Sequence, residues 1–152
     1  MVYTGFIHSE DCHENYHFHS LYEMHIPLRD TLHILADDMD VVLNPGEICI
    51  IPPGITHVVF QNNSSNRTGL RFTFTPGNNI FSHTYGALSN TTLIKNCNIY
   101  DKYIIQAIEN FKNNMPEFTV ADLLYLAIYE TALKISGKQC DKEKKKTSFP
   151  IL

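Results

Sequence analysis

The sequence predicts a mainly β domain, a small barrel or sandwich of short strands, followed by a C-terminal α-helical hairpin. Two patterns carry this. Up to about residue 75, short runs rich in Val, Ile, Thr, Tyr and Phe alternate with turn residues. After about residue 100 the apolar repeat lengthens from the strand period to the helix period. A chain of 152 residues, 43% hydrophobic and 18% charged, also has the length and composition for one sizeable core.

The strand candidates are residues 14–19, 21–28, 31–35, 39–43, 47–51, 57–61 and 68–75. Turn signals separate them at Asp37-Asp38, Asn44-Pro45-Gly46, Pro52-Pro53-Gly54 and the polar run 61–66. The last strand has two unlike faces: Leu70, Phe72 and Phe74 on one, Arg71, Thr73 and Thr75 on the other. Residues 76–98 read as loop with one more strand near Thr91–Lys95. Ile104, Ile108, Phe111 and Met115 then form one helical stripe, stopped by Asn113, Asn114 and Pro116. A second helix opens at Thr119, with Asp122 as a capping partner, and ends at Gly137. The short gap between them predicts an antiparallel hairpin. This divides the chain into a β unit (1–98), a helical hairpin (99–138) and a linker (139–152). The charged run Asp141–Lys146 reads as solvated, and the apolar ending Phe149-Pro150-Ile151-Leu152 as the approach to a further domain absent from this sequence.

Several function classes are disfavoured. A net charge of −4 argues against binding a phosphate backbone, because that affinity comes from Lys and Arg displacing counterions. No apolar run approaches the roughly 20 residues needed to cross a bilayer, and the N-terminus lacks a cationic stretch followed by an apolar core. Cys12, Cys49, Cys97 and Cys140 are scattered, with Cys49 in an apolar run as a small core residue. A reduced, cytoplasmic setting is expected.

The chemistry concentrates in two segments. In an unbroken strand, His17, His19, Leu21, Glu23 and His25 share one face, while Phe18, Ser20, Tyr22, Met24 and Ile26 share the other. The first face suits a cavity wall and the second would pack on the helices. Gly46 and the Pro52-Pro53-Gly54 turn frame the apolar strand between them, and His57 starts the returning strand, where its ring can point inward. Three imidazoles and a carboxylate suit a divalent metal, Zn, Ni, Fe or Mn, with open positions left over. Three readings stay open for His17, His19, Glu23 and His57: contacts to a small polar effector, metal ligands, or polar groups that hydrogen-bond one another. Arg71 joins the effector set if its face points inward, as a fixed fork of donors for a carboxylate or a hydroxyl; otherwise it is solvated. His25 is placed at the rim or surface, His33 as a hydrogen-bonded residue of the β unit, Tyr22 in packing, and His8 and His13 in an exposed N-terminal segment.

The spacing Gly46-x5-Pro52-x-Gly54-x2-His57-x3-Gln61 resembles the second cupin motif, with Gln61 in place of the usual Asn. His17-x-His19-x3-Glu23 resembles the core of the first, with Asp30 where that motif has glycine. The HxHxxYE and IPPGxxH forms, together with the helical hairpin, look like the N-terminal sensor half of AraC-type transcriptional regulators. The resemblance implies a cupin barrel (a double-stranded β-helix or jelly roll) that binds a small polar effector such as a sugar or carboxylate. It also implies a homodimer through the helices, and DNA binding only through a domain absent from this chain. On this reading residues 1–12 are a candidate lid, no cofactor is required and the chain is not an enzyme. The alternative is a stand-alone metal-dependent cupin enzyme, a dioxygenase or a sugar isomerase.

Overall fold

The computed structural model describes residues 2–9, 15–60, 67–76, 80–95 and 100–147. Among the described residues, eight strands form two antiparallel sheets. They are β1 (Val2–Ser9), β2 (Tyr22–Pro27), β3 (Leu32–Ala36), β4 (Met39–Leu43), β5 (Ile48–Ile51), β6 (His57–Phe60), β7 (Arg67–Phe74) and β8 (Thr92–Ile94). One sheet has the order β1-β7-β2-β5-β8 and the other β4-β3-β6. The α-helices among the described residues are α1 (Ile80–Gly86), α2 (Ile105–Lys112), which continues a π-helical turn at Tyr100–Ile104, and α3 (Glu117–Thr147).

The sheets pack face to face. Cys49 and Ile51 of β5 meet Leu32, Ile34, Val41, Leu43 and Val59 of the smaller sheet in one apolar layer. The opposite face of the larger sheet forms a second core. There Met24, Ile26, Ile48, Ile50, Leu70, Phe72 and Phe74 pack against Tyr85 of α1, Ile108 of α2 and Leu124, Ile128 and Ile135 of α3. Strand alternation produces both layers at once, since successive side chains leave a strand on opposite faces. The expectation that the apolar face of the first motif packs on the helices is met by Met24 and Ile26.

Other expectations need correction. Helix and strand occur in comparable shares, so the chain is mixed α and β rather than mainly β, and among the described residues the sheets form no closed barrel. Residues 2–9 are an edge strand in register with β7 from Val2↔Phe74 to Ser9↔Arg67, so this stretch is sheet, not lid. Residues 80–86, read as loop, form α1, while the strand expected near Thr91 is β8. The second helix starts at Glu117, two residues before Thr119, and runs past Gly137 to Thr147. Asp141–Lys146, read as a solvated linker, are therefore helical in their backbone; one glycine costs a helix only about 1 kcal/mol and does not end it by itself. Within the first turn, the Thr119 hydroxyl donates to the Pro116 carbonyl at 2.7 Å instead of capping from outside. The apolar ending Phe149–Leu152, His13 and the side chain of His8 lie outside the described residues.

Candidate functional site

The segment carrying the first motif is not one strand. His17 is joined to His57 by an isolated antiparallel bridge, the chain then turns, and β2 begins only at Tyr22. His17 thereby lies beside β6 of the smaller sheet while Glu23 lies in the larger one, and the site sits across the mouth between them. Two turns fix the frame. Gly54, with φ +80°, donates its N–H to the His19 carbonyl at 3.0 Å, tying the two motifs together. Gly46, with φ +81°, donates to Pro27 O at 3.0 Å. Asp30 adopts φ 57°, so the position where the motif has glycine keeps a left-handed backbone that Asp tolerates better than most residues.

His17, His19, Glu23 and His57 converge: one ligand atom from each lies within 4.8 Å of every other. The ring centroids of His17 and His57 are 4.4 Å apart, those of His19 and His57 5.3 Å. All three imidazoles make the same kind of Nδ1 contact. Nδ1 of His17 lies 2.9 Å from Asn15 O, Nδ1 of His19 2.9 Å from Leu21 O, and Nδ1 of His57 2.9 Å from Ile55 O. A carbonyl oxygen only accepts, so each Nδ1 carries a proton and each ring turns its Nε2 toward the cluster. His57 is fully buried, and its Nε2 has no hydrogen-bond partner. With the rings neutral, three lone pairs and a carboxylate would face one another as acceptors, an arrangement that a cation satisfies; without one, a proton on His19 Nε2 bonds the Glu23 carboxylate.

The Glu23 carboxylate divides its oxygens. Oε2 contacts His19 Nε2 and lies 3.7 Å from His57 Nε2. Oε1 lies 2.5 Å from His25 Nε2 and 3.8 Å from Arg71 Nε. Burial alone would push this carboxyl up, but the surrounding imidazoles, His25 at close range and His19 through its hydrogen bond, outweigh it, holding the group well below the usual carboxylate range. For His19 the hydrogen bond to Glu23 dominates over partial burial, and its pKa is raised.

The structure thus brings together all four residues singled out as a metal or effector set. Arg71 is on the same inner face, one third exposed, so the solvated alternative gives way to a position beside Glu23. His25, placed at the rim by sequence, is instead 1% exposed and in contact with Glu23. The signal was present in the period-two alternation that puts residues 23 and 25 on one face. His33 faces outward, paired with Asp40 and 4.3 Å from the Phe60 ring centroid. Tyr22 packs against Phe74 and Tyr85, as expected. Deeper between the sheets, Ile34, Leu43, Cys49, Ile51 and Val59 are fully buried in one apolar layer.

No protein-family model matches the chain, and no curated protein does. Among solved structures, the chain is similar over its whole length to ToxT from Vibrio cholerae strain SCE256, solved with an unsaturated fatty acid bound. The identity is 13%, the TM-score 0.51, and 57% of the ToxT chain is covered. Partial matches are the plu4264 protein of Photorhabdus luminescens (24% identity, TM-score 0.35, 49% of this chain and 54% of that one) and NMB1881 of Neisseria meningitidis (12%, 0.37, 48% and 84%). The chain therefore spans little more than half of the plu4264 and ToxT chains. At these identities the likeness to ToxT is one of fold. No helix among the described residues is long and apolar enough to cross a membrane.

Proposed function

We propose that this chain is the sensing domain of an AraC-type transcriptional regulator, and that it senses through a divalent metal ion held by His17, His19, Glu23 and His57. The observation that carries the metal is the shared Nδ1 contact of the three imidazoles: every Nδ1–H is committed to a carbonyl, which leaves every Nε2 for the cluster. Backbone hydrogen bonds of this kind fix tautomer and ring direction in metal-ligating histidines. When bound, the ion would supply a Lewis-acidic point at which a small anionic or hydroxylated effector can bind. The apolar character of the layer between the sheets favours such a surface-reached point for a polar effector. The regulator assignment is supported by the two motifs and by a fold shared with ToxT along the whole chain. Output to DNA would pass through a separate domain. Dimerisation would use α3, which exposes Phe118 and Leu133 by more than half.

The test is elemental analysis of protein purified without an immobilised-metal column, followed by calorimetric titration of the metal-free form. About one equivalent per chain, lost in the double substitution His19→Ala, His57→Ala, is expected; less than about a tenth of an equivalent overturns the metal. A metal-dependent enzyme is the second reading, favoured by the partial exposure of His17 and His19, which leaves the cluster open to a substrate. Turnover of a candidate substrate by the metal-loaded chain would decide for it.

A further inference from the structure

We infer that His25 is the positioning residue that decides which oxygen of Glu23 turns to the three-histidine cluster. This rests on the metal reading above, with Glu23 as a ligand. The terminal torsion of a glutamate is soft, so an unsupported carboxylate can offer either oxygen. Here the two oxygens meet different groups: Oε2 the histidines of the cluster, Oε1 His25 and Arg71. Strand geometry makes the division. His25 follows Glu23 by two residues on β2 and so shares its face. In register, His25 is flanked by Cys49 of β5 and Arg71 of β7, and Glu23 by Ile51 and Thr73.

The burial of His25 supports the same role. An imidazole at 1% exposure beside a cysteine thiol loses hydration, a cost that a phenyl ring would not incur. The polar group that its Nε2 meets is Glu23 Oε1 at 2.5 Å, although the contact is not aligned as a hydrogen bond and both atoms remain otherwise unsatisfied. A ring held this closely blocks rotation of the carboxylate and leaves Oε2 as the oxygen presented to the cluster. Groups that orient metal-ligating side chains in this way typically change affinity by about 10- to 100-fold when removed.

The experiment is titration of the metal-free protein with Co(II), whose visible absorption reports the ligand set as well as the affinity. His25→Phe keeps the ring and removes the nitrogen; His25→Asn is too short to reach Oε1; His25→Gln restores an N–H within reach. Circular dichroism checks the fold, and the Asn variant carries the deletion arm if the Phe variant does not fold. Expected are weakening by about 10- to 100-fold and a shifted absorption band in the Phe and Asn variants, with partial recovery of both in Gln. Parental affinity and spectrum in a folded Phe or Asn variant would overturn the role of His25 while leaving the metal reading intact. Absence of Co(II) uptake by the parent protein would overturn both.

Discussion

His17 and His57 exchange a pair of backbone hydrogen bonds, 3.0 and 2.9 Å, and this bridge sets their rings side by side. The position of His17 is thus fixed by its main chain. His17→Ala should keep the bridge, cost about 1 kcal/mol or less and still weaken metal binding. His57→Ala removes a fully buried ring and should lose both binding and stability, the latter by about 2 kcal/mol. Thermal melts with and without metal separate the two outcomes.

The pH dependence should reverse when metal is added. Glu23 is depressed, so its contribution to stability is present above its unfolded pKa, near 4.5, and is lost as pH falls toward the folded value. His19 is raised, so its contribution is full below its unfolded pKa of 6.5 and is lost as pH rises through the folded value. Metal-free protein should therefore be most stable between about pH 4.5 and 6.5. A metal must displace the His19 proton, so its stabilising effect should instead grow above that window. Melting curves of the parent and of Glu23→Gln across pH 4 to 8 check this; a metal-free parent no less stable at pH 8 than at pH 6, relative to Glu23→Gln, would contradict it.

Cys49 should behave as core rather than as a reactive thiol. Burial, reinforced by the charges of Asp38 and Glu23, pushes its pKa up to about 12, which leaves almost no thiolate at neutral pH. Peptide mapping after iodoacetamide treatment should find it unmodified in the native protein and modified after denaturation.

Tyr85 joins three elements. Its hydroxyl donates to Ile128 O of α3 at 2.8 Å, and its own carbonyl accepts from the Tyr22 hydroxyl at 2.8 Å. Tyr85→Phe keeps the packing and removes one buried hydrogen bond, so a loss of about 1 kcal/mol and a drop in Tm of a few degrees are expected in calorimetry.

Much of this was legible in the chain. The residue types and motif offsets were enough to single out His17, His19, Glu23 and His57 together, although the turn and the His17–His57 bridge that bring them to one place were not readable from an unbroken strand. The turn positions Gly46 and Gly54 declare themselves by residue type. What stayed hidden depends on tertiary context. His25 looked peripheral because its burial comes from β5 and β7, which are remote in sequence. α1 has few residues and weak periodicity, and its burial of Tyr85 against the sheet is a long-range effect. Gly137 looked like a helix end because it is a local signal, whereas the helix continues through it.

The alternation in β2 has a consequence for how this strand can change. Glu23 and His25 face the site; Met24 and Ile26 face the helices. The strand thus reads like overlapping frames, one letter for each layer. Inserting or deleting a single residue between Tyr22 and Pro27 would exchange the frames, placing carboxylate and imidazole in the helical core and methionine at the site. Point substitutions here can be absorbed by one layer alone, but a one-residue length change strikes both, so β2 should vary in composition far more readily than in length.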